Sequence, residues 1–162
     1  MGKINLGRVI LGGIVAGIVI DLFEGVLNGA ILSKQWEEVM AGLGKTGVMS
    51  VKQIIAFNLW GLAAGLLMVW LYAAIRPRYG AGPRTAACAG IAVWALAYLL
   101  GSAVPVIMHL FPVGLTLVGI GVGLIETIVA GVAGGRFTRK TKAWRPNPLW
   151  RLRLERASTG DC

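Results

Sequence analysis

Three carboxylates stand inside stretches that otherwise read as membrane spans. Asp21 and Glu24 lie three residues apart in GIVIDLFEGVLNG, 17–29, and Glu126 lies in a glycine-rich apolar run. An ionised carboxylate at the centre of a bilayer costs about 3 kcal/mol or considerably more. No Lys or Arg falls at matching depth in any apolar run. Asp21 and Glu126 are therefore expected to be protonated, to share a proton, or to be hydrogen-bonded to Asn, Tyr or backbone. At 1.5 Å per residue, Asp21 lies about 20 Å beyond Arg8 and Glu126 about 15 Å from Arg136, so the two reach similar depth and are expected to meet. Glu24, Asn28 and Asn58 fall nearer one interface. Such a set could form a proton or cation pathway, or could be structural hydrogen bonding within the chain or to a partner subunit.

His109 is the only histidine. Beside Leu110, Phe111 and Pro112, it could ligate a haem or a chlorophyll magnesium from one side. No second histidine completes a bis-His haem site and no CxxCH occurs. The chain encodes no cofactor site of its own on this reading. Pigment or haem contact would come only through a host complex, while bound lipid is expected. No nucleophile–base pair, phosphate loop or metal-ligand cluster stands out, so an enzyme is not expected and no metal is assigned. Cys88 and Cys162 make no metal or redox spacing. Cys88 reads as a small packing residue inside an apolar run.

The elements that must carry these residues follow from composition. Of 162 residues, 56% are hydrophobic and 14% charged, and the mean hydropathy is +0.73. Ordinary soluble domains carry about 25% charged residues. Four apolar runs, about 6–32, 53–75, 85–111 and 113–135, each meet the roughly 20 residues that cross a hydrocarbon core. With no sustained alternation of period two, they must be helices rather than barrel strands. Pro105 is expected to kink the third. Lys3 and Arg8 resemble a secretory n-region, but no small-x-small cleavage site follows, so the first run is read as an uncleaved span. The expected fold is an all-α integral membrane four-helix bundle over 1–135, with a basic cytoplasmic tail over 136–162. The two halves show no internal repeat, so an inverted-repeat transporter is not supported.

Small residues at helical spacing mark expected packing seams. Gly13 and Gly17 share a face with Asp21, Glu24 and Asn28. Gly61 and Gly65 align with Asn58 and Tyr72, and Gly119 and Gly123 align with Glu126 and Ala130. In the third span Ala86, Gly90, Ala97 and Gly101 share a face, with Tyr98, Ser102 and His109 on the neighbouring one. In the first loop, 33–52, Trp36, Val39, Met40 and Leu43 repeat at helical spacing, with Glu37 and Glu38 opposite. This predicts a short interfacial helix ended by Gly42, Gly44 and Gly47, with Ser50 capping the second span. The third and fourth spans, joined near HLFPVG, 109–114, form a hairpin.

The net charge is +9 and the pI about 10.3. In a soluble protein that balance suggests nucleic acid. Here the basic residues flank apolar runs, so nucleic acid is not expected as a partner. With a cytoplasmic N-terminus, thirteen of the 16 Lys and Arg residues fall on the cytoplasmic side and Lys34, Lys45 and Lys52 outside, which places both termini in the cytoplasm of a bacterial inner membrane. In the tail, Arg139, Lys140, Lys142, Trp144, Arg145, Trp150, Arg151 and Arg153 read as a lipid anchor, worth roughly 1 kcal/mol per basic residue on anionic headgroups, or as a docking arm for a partner.

RVILGGIVAGIVIDLFEGVLN, 8–28, and VWLYAAIRPRYGAGPRTAACAG, 69–90, resemble segments of small bacterial membrane proteins described as conserved hypothetical proteins with four spans. The resemblance covers about 6–135. It implies a four-span membrane fold and no activity, so no functional residue is carried over. The expected function is that of a non-enzymatic accessory subunit of a larger inner-membrane complex, with an energy-transducing one (photosynthetic reaction centre or respiratory) as the suggested host. Other membrane subunits and anionic lipids would be its partners. The alternative is a small proton- or cation-coupled transporter or channel using the intramembrane carboxyls.

Overall fold

A computed structural model describes residues 5–45 and 49–138. The described residues form helices and turns, with no strand among them. The elements are α1 (Leu6–Val26), a π-helical turn (Leu27–Ile31), α2 (Ser33–Gly42), α3 (Val51–Tyr79), α4 (Pro83–Trp94), a π-helical segment (Ala95–Leu100), α5 (Gly101–Ile107) and α6 (Val113–Phe137). Four continuous helices, Leu6–Ile31, Val51–Tyr79, Pro83–Ile107 and Val113–Phe137, are long and apolar enough to cross a membrane. The tail residues Arg139, Lys140, Lys142, Trp144, Arg145, Trp150, Arg151 and Arg153 lie outside the described residues.

Local chemistry sets the boundaries. Asn5 Oδ1 accepts the Arg8 N–H at 3.2 Å and caps α1. Ser50 and Gln53 form a capping box that starts α3 two residues before the expected span: Ser50 N–H donates to Gln53 Oε1 at 2.8 Å, and Gln53 N–H donates to Ser50 Oγ at 3.4 Å. At its other end α3 continues through Pro77 to Tyr79, so Arg76 and Arg78 are helical rather than part of the expected connection. Gly80 stops it at φ 85°, a backbone conformation that disfavours any side chain. The Thr85 hydroxyl donates to Gly80 O at 2.9 Å across the short turn, and Pro83 opens α4, where its missing N–H leaves no helical bond unmade. Gly44, at φ 72°, ends α2 with Lys45 N–H donating to Met40 O and Gly44 N–H to Ala41 O.

The four long helices form a ring in which α1 packs on α3 and α6, and α4 packs on α6 and α3. The end carrying Asn5, Gly80 and Thr138 is called the lower end here, and the end carrying α2 the upper. Packing is densest in the lower half, where glycines bring backbones together. Gly65 sits directly on the backbone of Gly13 and Gly17, and Gly12 and Gly134 face each other so closely that a methyl group on either would lie 2.5 Å from the other's carbonyl oxygen. Gly90 meets the backbone of Thr127 in the same way. These are the contacts expected of small-residue seams. Arg76 Nη1 donates to Thr138 O at 3.1 Å and ties the lower ends of α3 and α6.

Two seam assignments change. Nothing lies within 4 Å of where a side chain on Gly119 would begin, so this position is no seam, although the adjacent Ile120 carbonyl is held by Trp94 of the third span. Gly123 is a contact, but its neighbour is the ring of Tyr98 rather than a backbone. Cys88 is exposed on α4 rather than packed. Pro105 lies inside α5 as expected, and the helix already departs from α geometry in the π-helical segment before it.

A hydrogen-bonded carboxyl–phenol cluster

The two π-helical segments each present one residue to the same place. In the first span the Leu32 N–H reaches back to Leu27 O at 2.8 Å, and the widened turn carries Asn28. In the third the Gly101 N–H reaches back to Leu96 O, and the widened segment carries Tyr98. Departures of this kind re-aim side chains and recur at functional sites. The Tyr98 ring lies on Gly123 of α6, where a Cβ would stand 2.5 Å from the ring. One turn below the ring, at Trp94, the indole N–H donates to Ile120 O at 2.8 Å and pins the third span to α6.

Here the Tyr98 phenol oxygen lies 2.6 Å from Glu24 Oε1 and 2.9 Å from Glu126 Oε1. Glu24 Oε2 accepts from Asn28 Nδ2, and Asn28 Oδ1 accepts from Trp36 Nε1 at 2.8 Å. Trp36 also meets Phe111 edge-on, at 5.2 Å between ring centres. An unbroken chain thus runs from α2 at the upper end, through Trp36, Asn28, Glu24 and Tyr98, to Glu126. Glu126 is 0% exposed, and its Oε2 has no partner.

Proton counting constrains this cluster. A phenol has one proton, so it donates to only one of its two carboxyl neighbours. The other short contact needs a carboxylic acid donating to the phenol oxygen. The arrangement therefore needs at least one carboxyl proton between Glu24 and Glu126. Beneath the cluster Ala16, Met68, Val69 and Ala130 are fully buried and form an apolar layer. Tyr72 lies below that layer, buried, with its hydroxyl unpartnered.

The sequence-derived set divides accordingly. Glu24, Asn28 and Glu126 are brought together. Asp21 is not hydrogen-bonded to Glu126: its carboxyl lies over Gly61 of α3, half-buried, and makes no hydrogen bond among the described residues. The reason is angular. The Gly13, Gly17 and Asp21 edge of α1 faces α3, and three helical steps turn Glu24 about 60° back toward α6. Asn58 is exposed and donates to Ile54 O of its own helix at 2.8 Å. His109 is exposed in the turn after α5, in a left-handed conformation at φ 54°, apart from the cluster. Among the described residues no group of three His, Cys, Asp or Glu is placed to hold a metal ion. Tyr98, the hub, and Trp36, the upper terminus, were placed on their helix faces by spacing but not joined to the carboxyl set. The available signal was a tyrosine in mid-span, whose hydroxyl needs a partner wherever the ring is buried.

No family model, no curated protein and no solved structure matches this chain.

Proposed function

We propose that this chain is a multi-pass inner-membrane protein, with both termini cytoplasmic, that moves or exchanges a proton or cation at the Glu24–Tyr98–Glu126 cluster, as a small proton- or cation-coupled transporter or channel. The observation that carries this reading is the phenol bridging two carboxyls, one of them completely buried, with no basic side chain in the cluster. A purely structural hydrogen bond is served by one carboxyl or one amide; two acids on one phenol retain a proton that can leave. On this reading α2 lies at the outer interface, where its indole closes the upper end of the chain of bonds, and the basic tail binds anionic lipid. The test is proton flux in liposomes reconstituted with the full chain. Glu126→Gln is expected to abolish it. Wild-type flux retained in that variant, or no flux in the wild type, would overturn the reading.

A second reading, an accessory subunit of a larger inner-membrane complex, is favoured by the upper half of α3. Residues 51–60 bury no side chain, yet include Ile54, Ile55, Phe57, Leu59 and Trp60. A surface of that size also suits a partner subunit. Purification in mild detergent tests it: a stable co-migrating membrane subunit is expected, and a monodisperse lone chain would count against it.

A further inference from the structure

From Trp36 to Glu126 the hydrogen bonds are continuous, but not every member can pass a proton on. A relay needs atoms that both accept and donate, as hydroxyls and carboxyls do. An indole N–H only donates, and an amide splits the two roles between its nitrogen and its oxygen. Because the Trp36 indole only donates, Asn28 must turn Oδ1 to it, at 2.8 Å, and Nδ2 to Glu24. Glu24 Oε2 is thereby an acceptor and carries no proton. Any proton on Glu24 sits on Oε1, which faces the Tyr98 phenol at 2.6 Å. The relay therefore ends at Glu24. Above it the Asn28 amide is a stopper, and the indole holds its orientation.

Within the relay the proton step balances. Glu24 is half-buried and accepts from both Asn28 and Tyr98, so it is the better seat for the negative charge, and Glu126 is the acid. Glu126 gives its proton to the Tyr98 oxygen while Tyr98 gives its own to Glu24 Oε1, and the charge passes from Glu24 to Glu126. Glu126 is 0% exposed, so the charge is costly there and the step reverses unless the Glu24 proton leaves. Upward, that proton meets the stopper. Downward lie the fully buried Ala16, Met68, Val69 and Ala130. The helix that carries the indole is itself lightly held. None of the residues of α2 is buried. Trp36 is tied by its bond to Asn28 and its edge-on contact with Phe111. A groove of about 500 Å³ runs between Val39 and Leu43 of α2 and Val106, Leu110 and Val113. Segments with so few buried contacts open at low cost.

We propose that α2 is the upper gate of the relay, with Trp36 as its latch. Lifting α2 removes the indole, frees the Asn28 amide to turn and lets Glu24 Oε2 exchange its proton with water. Trp36 touches no reacting atom; it is a positioning residue that acts through Asn28. The gate rests on the proton reading proposed above and adds its control: docked, α2 holds the proton in; lifted, it lets the proton exchange.

The experiment measures proton flux with the full chain in liposomes that enclose the pH dye pyranine. Trp36→Phe removes the indole donor, and flux should rise about fivefold, the gain in opening from losing one hydrogen bond. Asn28→Asp puts a carboxyl, which both accepts and donates, where the amide stood, and should raise flux with the indole still present. Adding Glu126→Gln to either variant should abolish the flux, which separates a relay from a leak. Gln35→Ala, at an exposed position on the same helix, should leave flux unchanged. A purely structural Trp36 gives flux at or below the wild-type level in Trp36→Phe; that result would overturn the gate and leave the proton reading standing. Raised flux that survives Glu126→Gln would overturn the gate as well. No flux in the wild type or in either variant would sink both.

Discussion

Below Asp21, α1 and α3 touch backbone to backbone at Gly17 and Gly65; above it, α3 runs from 51 to 60 without burying one side chain. The same pair of helices is thus closed at one end and open at the other. The change falls where the small residues stop and the carboxyls begin. Glycine seams make a rigid, dry base, in which Met68, Val69, Ala16 and Ala130 are fully buried. Side chains reaching across a wider gap make the upper half, where Tyr98 spans from the third helix to α1 and α6. A wide gap leaves room for polar chemistry, and the closed base denies the cluster a polar route downward. The difference teaches that the one-sidedness of the site comes from helix spacing, set residue by residue by the presence or absence of a Cβ.

Substitutions that fill the gaps should separate the halves most strongly. Gly65→Leu drives a side chain into the backbone of α1 and is expected to cost about 3 kcal/mol or more, or to prevent folding. Gly119→Leu, on the open part of α6, should stay within about 0.5 kcal/mol. Thermal unfolding in detergent compares them, and equal effects would break the contrast. Next in size, Tyr98→Phe removes both bonds at the hub and should cost about 1–3 kcal/mol while keeping the base folded. Hydrogen exchange is expected to quicken around Glu24 and not around Gly12 or Gly134. Trp36→Phe keeps the ring contact with Phe111 but loses the bond to Asn28, at about 1 kcal/mol. Faster exchange confined to α2 is the expected readout. Smallest, Ser50→Ala removes the α3 cap. A cap contributes about 1 kcal/mol to its helix, yet 51–60 buries nothing, so the first turn should fray without lowering the unfolding temperature of the bundle.

The four helices were legible because each apolar run exceeds what a bilayer needs and because caps and turn residues mark the ends. The Ser50 cap and the amphipathic repeat at Trp36 were both visible, and α2 forms where that repeat predicts. The seams at Gly13, Gly17, Gly61 and Gly65 were legible too, since four-residue spacing fixes a shared face. Gly119 shows where that logic stops: spacing places it on a face but cannot say whether a neighbour still lies there. The cluster was half legible. Depth along the helix matched Asp21 with Glu126, but depth ignores angle, and Glu24 is the one turned toward α6. Tyr98 was placed on a face, but its meeting with both carboxyls was not legible, for another reason. Its placement depends on two π-helical segments, whose wider turns shift the faces that a constant 100° per residue assigns.

At least one carboxyl proton resides between Glu24 and Glu126 on the Tyr98 phenol. Infrared difference spectroscopy of the carboxylic-acid C=O stretch, on the reconstituted full chain at neutral pH, tests it most directly. A protonated-carboxyl band from this cluster is expected, changed in Glu126→Gln and shifted in frequency in Tyr98→Phe. Spectra with no protonated-carboxyl band, or with a band that neither substitution changes, would contradict it.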